Sequence, residues 1–367
     1  MRKSLILLLL VALLFLFMSG CSLPVKNGDG GGLTGSTAAA TGSARGMVKD
    51  ANTGTAGLDG ISVPASSDKT EPVAAEKPAT TSVTLYYQDA DGYIVPVTRK
   101  VARQDGIARM AVGALIDNAL NRESLEYYGL YPVLPKGTEI RGISIKQETA
   151  WIDFNEGLLN YDNEQAERNI IASVVYTLTE FKTIRSVRIS VGGNPLEQLK
   201  FHPELQAVLD RKNTLVNAAG IQPDPELNKL DLYYFKKSGA EHTYLIPVSL
   251  EVDPKQDTGT AAAIVRLLSD GPGDKKLYTE LPANVRLRSG EMDGKTLALD
   301  FKGNLGEYGG NAREEGILQQ LLYSMKQVQE ARFIRITFDG KVPELSEGSD
   351  VSQDIPLPVA INEVMDP

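Results

Sequence analysis

The side chain in this sequence whose neighbours most clearly indicate a chemical reaction is Cys21, the single cysteine of 367 residues. Met1–Lys3 is basic, Leu5–Met18 is apolar, and the small residues Ser19 and Gly20 stand just before the cysteine. A positive start, a short apolar stretch and small residues before a cleavage point are the parts of a secretory signal. A cysteine at the cleavage point is typical of bacterial lipoproteins, in which the thiol receives a diacylglycerol. We therefore predict lipidation of Cys21.

The apolar stretch is shorter than the ~20 residues that a membrane-spanning helix needs. This favours a cleaved signal peptide, residues 1–20, over the alternative of an uncleaved anchor with an incidental cysteine. Met18 is a mild departure, because leucine is usual three positions before a lipidated cysteine. Both interpretations place the rest of the chain outside the cytoplasm, tethered to a membrane. Residues 21–81 contain no aromatic side chain and cannot bury enough apolar surface to fold, so we expect a disordered tether.

The charge balance argues against nucleic-acid binding. The chain carries a net charge of −9, and removal of Arg2 and Lys3 with the signal peptide makes the mature chain more negative still. An acidic chain gains no electrostatic attraction to a phosphate backbone. We therefore predict no nucleic-acid partner.

Little in the sequence could support catalysis or bind a metal or cofactor. The two histidines, His202 and His242, have no neighbouring cysteine or histidine, so neither a zinc site nor a catalytic triad is indicated. Asp89–Gly92 begins like a calcium loop but lacks the later glutamate of such a loop, so we interpret it as a hairpin turn. We expect no enzymatic activity, no cofactor and no metal site.

Charged side chains mark one face of the predicted sheets. Strand alternation places Asp153 and Arg188 on the side that faces away from the helices, and Asp300 and Arg335 on the corresponding side in the second half. This face is either a candidate interface or a solvated surface with the ion pairs Asp153–Arg188 and Asp300–Arg335. Exposed pairs of this kind contribute only ~0–1 kcal/mol, and the sequence alone favours the solvated surface.

Trp151, the only tryptophan, lies on the same predicted face, and Ala298 occupies the equivalent position in the second half. A large ring on a polar face either lies in the contact between the two halves or anchors a partner. A role in the core is the third alternative. We keep Trp151 as a candidate interface residue beside the four charged ones.

These residues recur because the sequence is duplicated with a shift of 147 positions, which leads from Leu85 to Leu232. The other pairs with this spacing are Leu130 and Leu277, Ile152 and Leu299, Tyr176 and Tyr323, Arg188 and Arg335, and Gly193 and Gly340. We predict two copies of one domain, residues 82–200 and 229–343. A connector, residues 201–228, joins them, and a tail, residues 344–367, follows.

Each copy has the pattern of an α+β domain with the element order ββαββαβ. Alternating strands, an apolar stripe at helical spacing, a second hairpin, a longer helix and a last strand follow one another in both copies. Pro96 and Pro247 lack the N–H that a central strand donates, so we place their strands at a sheet edge. We expect a small, mostly antiparallel sheet in each copy with two helices on one face.

The lipoprotein signal, the tether and the duplicated motifs Leu-Tyr-Tyr, Pro-Val, Leu-Pro and (Ile/Leu)-Asp-Phe together resemble the GerM-type sporulation and germination lipoproteins, which carry tandem GerMN domains. The resemblance implies a non-catalytic assembly protein in the mother-cell membrane, facing the intermembrane space around the forespore. Its implied partners are other exported sporulation proteins of a channel-like secretion complex. GerMN domains are also similar to ring-building αββαβ motifs, so the resemblance leaves self-assembly open.

The alternative function is that of an envelope lipoprotein that binds or processes peptidoglycan. Tyr127–Tyr131, with the sequence Tyr-Tyr-Gly-Leu-Tyr, is present only in the first copy. A wall-binding protein would have a cleft lined with aromatic and acidic side chains in that copy alone. Otherwise we expect this loop to pack against the helices or against the second copy.

Overall fold

The computed structural model describes residues 79–239, 242–255, 259–303 and 310–364. The predicted signal peptide, Cys21 and the predicted tether up to residue 78 lie outside the described residues. Within the four described ranges, no helix combines the length and the hydropathy needed to cross a membrane.

The two copies repeat one order of elements. The first copy contains, in chain order, β1 (Thr80–Asp89), β2 (Ile94–Ala102), α1 (Ile107–Gly113), α2 (Ala119–Glu126), β3 (Leu130–Tyr131), β4 (Ile140–Lys146), β5 (Thr149–Phe154), α3 (Glu164–Thr179), β6 (Ser186–Val191) and β7 (Asn194–Pro195). The second contains β8 (Asn228–Ser238), β9 (His242–Val252), α4 (Thr260–Asp270), β10 (Leu277–Tyr278), β11 (Arg286–Asp293), β12 (Thr296–Lys302), α5 (Asn311–Met325), β13 (Phe333–Phe338) and β14 (Ile355–Pro356). The predicted order is observed, with short additional strands and with α2 inserted in the first copy.

Each copy divides its strands between two sheets rather than forming the one sheet expected. The three-stranded sheets have the orders β2-β1-β3 and β10-β8-β9, and the four-stranded sheets have the orders β4-β5-β6-β7 and β11-β12-β13-β14. Pairing is antiparallel except between β5 and β6 and between β12 and β13. The α+β class of two tandem copies is confirmed, and the strands of Pro96 and Pro247 are sheet edges as predicted.

Helix α3 covers the part of the β1 edge that the short strand β3 leaves unpaired. The backbone N–H of Tyr86 donates to Thr177 Oγ1 (3.1 Å), and the Ser173 hydroxyl donates to the Tyr86 carbonyl. These are the groups that a neighbouring strand would otherwise satisfy. In the second copy, Ser324 on α5 accepts from the N–H of Tyr233 (3.0 Å). Polar side chains of a helix thus take the place of a strand beside β1 and β8.

Strand alternation sorts the side chains of the four-stranded sheets as predicted. Ile152 and Phe154 are buried on β5, and so are Leu299 and Phe301 on β12. Trp151, which lies between inward-facing neighbours, is 46% exposed. The outer face of the first of these sheets therefore carries Trp151, and that of the second carries Phe333, 39% exposed, beside polar side chains.

A buried glutamate fixes the chain that follows the first copy. Glu167 on α3 is 0% exposed and accepts hydrogen bonds from the N–H groups of Lys200 (2.7 Å) and His202 (2.8 Å) and from the Tyr161 hydroxyl (2.6 Å). Burial alone would raise the pKa of Glu167, but the hydrogen bonds from Tyr161 and His202 outweigh it and keep this pKa below its ordinary value.

The second copy repeats this clamp 147 positions later. Glu314 on α5 accepts from the N–H groups of Glu347 (2.9 Å) and Ser349 (2.8 Å). Farther along, Leu209 forms a β-bridge to β6, and β14 pairs with β13. The segments predicted as connector and tail are thus packed parts of the fold.

Candidate functional site

The two copies meet where the edge strands β2 and β9 lie side by side. Pro96 on β2 and Pro247 on β9 have no N–H to donate, and a side chain bridges the two edges instead. Asn217 Oδ1 accepts from the N–H of Ile94 (2.6 Å), and its Nδ2 donates to the carbonyls of Ile94 (2.9 Å) and Pro247 (2.7 Å). One amide from the predicted connector therefore joins both copies.

Asn362, from the predicted tail, makes the reciprocal set of bonds. Its Oδ1 accepts from the N–H of Leu245 (3.0 Å), and its Nδ2 donates to the carbonyls of Leu245 (2.8 Å) and Pro96 (2.7 Å). The two strands have exchanged roles relative to Asn217, so the junction has approximate two-fold symmetry. Asn217 and Asn362 have φ values of 51° and 45°, a conformation that asparagine adopts more readily than most residues.

The residues just before these asparagines extend the symmetry to the backbone. Val216 accepts from the N–H of Ser249 on β9 (2.9 Å), and its own N–H donates to Ser249 Oγ (2.8 Å). Ile361 accepts from the N–H of Thr98 on β2 (2.9 Å), and its own N–H donates to Thr98 Oγ1 (2.9 Å). The segments Val216–Asn217 and Ile361–Asn362 therefore each pair with one edge strand. The asparagine of each segment also bonds to the other edge strand.

An ionic contact lies beside this junction. Lys236 on β8 is 2% exposed, and its Nζ lies 2.9 Å from Asp89 Oδ2 and 2.7 Å from Asp91 Oδ2. Lys276 Nζ lies 2.8 Å from Asp91 Oδ1. Hydrogen bonds from Lys236 and Lys276 lower the pKa of Asp91 to about 2. The predicted Asp89–Gly92 turn is present, and its carboxylates bind lysines of the other copy.

The tyrosine loop of the first copy also contacts the second. The Tyr127 carbonyl lies 2.8 Å from His242 Nε2, and the Tyr244 hydroxyl donates to the Tyr128 carbonyl (2.6 Å). Of the alternatives for Tyr127–Tyr131, packing against the second copy is therefore observed for Tyr127 and Tyr128. Both histidines therefore have structural partners. His242 contacts the Tyr127 carbonyl, and the His202 ring lies 2.8 Å from Glu167 Oε1.

On the outer face of the first copy, Arg188 stacks on Trp151. The guanidinium carbon lies 4.8 Å from the ring centroid, and the two residues are register partners on β5 and β6. Asp153 pairs with Arg141 (3.5 Å) and accepts from the N–H of Gly193 (2.8 Å). The predicted ion pair Asp153–Arg188 is therefore wrong, because Arg188 lies opposite the tryptophan. Trp151 contacts its own copy and otherwise faces solvent.

The outer face of the second copy has different partners. Arg335 donates to both carboxylate oxygens of Asp354 (2.7 and 3.0 Å) and to Asp293 (3.1 Å). Asp300 accepts from the N–H of Gly340 (2.8 Å) and the hydroxyl of Thr337 (2.7 Å). The predicted pair Asp300–Arg335 is also wrong, because the tail supplies a nearer carboxylate, Asp354.

A polar groove of about 1050 Å³ lies in the first copy between α2, the Asp89–Gly92 turn and the start of α3. Its wall includes Tyr131, 49% exposed, and the carboxylates of Asp117, Glu123 and Glu126. Arg122 pairs with Asp117. Helix α2 forms one side of the groove, and the continuous range 259–303 contains no counterpart of α2. This groove therefore belongs to one copy only.

The junction residues Asn217, Asn362 and Lys236 and the clamp Glu167 were missed from the sequence. Lys236 stands 147 positions after Asp89, and Glu314 stands 147 positions after Glu167. That spacing was the available signal, because polar residues kept at equivalent positions of predicted apolar elements indicate a buried role. Among the described residues, no three His, Cys, Asp or Glu side chains form a group that could hold a metal ion.

Comparisons with known proteins agree with the duplication. The model of the Germane family, described as sporulation and spore germination, matches residues 84–197 and 231–344. The spore germination protein GerM of Bacillus subtilis (strain 168) is 25% identical over 308 residues, which are 81% of this chain and 82% of that protein. The solved tandem GerMN domains of GerM from Bacillus subtilis align with a TM-score of 0.66 and 24% identity, over 77% of this chain and all (100%) of theirs. This similarity to the solved tandem domains shows that the fold is shared.

Proposed function

Because the chain belongs to the Germane family of sporulation and spore germination, we propose that it is a non-catalytic, lipid-anchored scaffold of a protein complex between mother cell and forespore. The observation that carries this proposal is the junction. Asn217 and Asn362 bridge the two copies reciprocally, and Lys236 adds a buried ionic contact. Two interlocked domains present their outer faces at a fixed spacing, which is what a scaffold requires.

The predicted anchor gives this scaffold its place. A lipid on Cys21 would hold the chain on the mother-cell membrane, with the domains in the intermembrane space. A tether of residues 21–81 would span roughly 45 Å as a random coil. Confinement to a surface raises the effective concentration of the domains near other membrane proteins, and two domains on one chain add avidity. Other exported sporulation proteins are the proposed partners.

The contact proposed for these partners is the outer face of the first copy, which carries Trp151, Asp153 and Arg188. On the equivalent face of the second copy, Arg335 and Asp300 are already bonded within the fold. The side chains of Trp151, Asp153 and Arg188 are at least partly exposed to solvent. Lateral packing of such faces against a second copy of the chain would give self-assembly. The net charge of −9 opposes such packing unless unlike charges meet.

The test is affinity purification of the tagged lipoprotein from membranes of sporulating cells. We expect other exported sporulation proteins to be recovered with it, and we expect Cys21→Ala to release the protein from the membrane fraction. Membrane retention of Cys21→Ala would mean that the apolar segment is an uncleaved anchor. Recovery of muropeptides without any protein partner would contradict the scaffold.

The groove beside Tyr131 favours peptidoglycan binding as a second candidate function. It combines an exposed tyrosine with carboxylates, and it belongs to the first copy alone. Sedimentation with purified sacculi tests this function, with Tyr131→Ala as the groove variant and Tyr127→Ala as the control outside the groove. Binding that Tyr131→Ala abolishes and Tyr127→Ala preserves supports wall binding. Absence of sedimentation eliminates it.

A further inference from the structure

The outer faces of the four-stranded sheets β4–β7 and β11–β14 differ in how equivalent arginines are neutralised. In the second copy, Arg335 is held by Asp354 through two hydrogen bonds and by Asp293 through a third. Charge-assisted, bidentate pairing of this kind occupies most of the donors of a guanidinium. Arg335 therefore has little capacity left for an external anion.

The first copy lacks both of these carboxylates. Lys146 stands where the second copy has Asp293, because each is the last ladder residue of its strand, β4 or β11. Val208 stands where the second copy has Asp354, because each directly precedes the residue that pairs with β6 or β13. Within the described part of the chain, Arg188 has no carboxylate at salt-bridge distance. The cation Lys146 takes the position of Asp293, one of the two carboxylates that bind Arg335.

Trp151 adds the other component of a recognition site. Its ring covers one face of the Arg188 guanidinium, which leaves the N–H groups at the edge of the guanidinium free for a planar anion. In the second copy, the equivalent residues Arg335 and Asp293 are close enough to bond (3.1 Å). Arg188 and Lys146 occupy the same two positions, so one acidic segment can contact both. Ala298 replaces the ring in the second copy.

We propose that Trp151, Arg188 and Lys146 form a docking site for a carboxylate-bearing segment of a partner protein, and that the equivalent face of the second copy does not bind it. This inference rests on the proposed scaffold function and names its contact. A local cationic face on a chain of net charge −9 selects an acidic partner by charge complementarity. Tryptophan and arginine are the residues that most often dominate the energy of protein interfaces.

The number of free cations favours a protein over a lipid surface. Anionic lipid headgroups are typically bound by clusters of four to eight basic residues. On this face Arg141 already pairs with Asp153 and Arg185 with Glu148. A small cationic site beside a single ring matches a short acidic segment better than a charged membrane.

Because Trp151 is the only tryptophan, its fluorescence reports on this face directly. The full-length lipoprotein in detergent is titrated with an acetylated peptide of alternating Asp and Leu, and with a matched peptide of alternating Lys and Leu. We expect a saturable, salt-sensitive change of emission with the acidic peptide only. Arg188→Gln should weaken binding by about tenfold, Lys146→Gln should weaken it less, and the matched control Arg335→Gln should bind as the wild type does.

Several results overturn the docking site. These are no saturable change with the acidic peptide, unaltered binding by Arg188→Gln, or equal losses from Arg188→Gln and Arg335→Gln. An emission change in nanodiscs that contain phosphatidylglycerol, without any response to the peptide, assigns the face to lipid. A change that follows protein concentration assigns it to a second copy of this chain.

Purification from sporulating cells separates this inference from the function on which it rests. If the wild-type protein recovers partners and Arg188→Gln does not, while Arg335→Gln still does, both stand. If the wild type and Arg188→Gln recover the same partners, only the docking site is overturned. If the wild type recovers none, the scaffold itself is overturned.

Discussion

Asp89 and Lys236 occupy the same position in the two copies and form an ion pair with each other across the junction. Asp89 is the register partner of Leu130, and Lys236 is the register partner of the equivalent Leu277. Two identical copies related by two-fold symmetry would bring like charges together at this point. The observed pair, 2.9 Å between Lys236 Nζ and Asp89 Oδ2, therefore requires the two copies to differ.

Replacement of Lys236 by methionine removes the buried counter-charge of Asp89. A buried ion that loses its partner destabilises a protein by about 3–5 kcal/mol, and we expect a loss of this size in the free energy of unfolding measured with urea. Lys276→Met is the matched control, because the Lys276 side chain is 55% exposed and exposed pairs contribute ~0–1 kcal/mol. Equal losses from the two substitutions would contradict a special role for Lys236.

The same cluster predicts a dependence of stability on pH. The pKa of Asp91 is about 2 in the folded protein and about 3.9 in an unfolded chain. A carboxyl group with a lowered folded pKa contributes stability above its unfolded pKa, and this contribution is lost as the pH falls through the folded pKa. We expect the free energy of unfolding to decrease between about pH 4 and about pH 2, less steeply in Asp91→Asn. Urea titrations at several pH values measure the free energy of unfolding. Equal pH dependence in the wild type and in Asp91→Asn would show that Asp91 is not responsible.

The reciprocal asparagines predict a loss of coupling between the copies. Asn217→Ala or Asn362→Ala leaves backbone groups of β2 and β9 without a partner, at about 1–3 kcal/mol each, and places alanine at a positive φ. Glycine variants remove that strain but also lack the amide, so they should remain destabilised. Calorimetry of the double variant should resolve two transitions. A single transition with unchanged midpoint would show that the amides do not couple the copies.

The buried clamp predicts a local effect. Glu167→Gln presents an amide to the N–H groups of Lys200 and His202, and at least one buried donor then loses its acceptor, which costs about 1–3 kcal/mol. Amide hydrogen exchange at residues 200–202 should become faster. Glu164→Gln is the control on the same helix, because the Glu164 side chain is 56% exposed. Unchanged exchange in Glu167→Gln would contradict the clamp.

The periodicity of the sequence predicted which way side chains face but not what they contact. Alternation placed Trp151 and Asp153 outside and Ile152 inside, as observed, because the period of a strand depends on local geometry alone. The ion partners were predicted wrongly because they depend on the register between strands. Arg188 lies opposite Trp151, and Arg335 bonds to Asp354, which lies in the segment predicted as a tail.

The duplication predicted two copies but not the way they join. The junction depends on two asparagines outside the repeated motifs, and nothing in the local sequence indicates that Asn217 reaches β2 or that Asn362 reaches β9. Buried polar residues of the helices were hidden for a similar reason. Ser173 and Thr177 interrupt an apolar stripe, and only the edge of β1 explains them.

The segment that covers Thr98 contains Ile361, 263 positions farther along the chain. Since the chain is made from its amino terminus, the edge of β2 cannot be covered until residues some 263 positions farther along are present. Bare strand edges invite pairing with foreign chains. A frameshift or nonsense codon shortly before position 361 would therefore leave most of the apolar core encoded and yet yield a truncated, aggregation-prone protein.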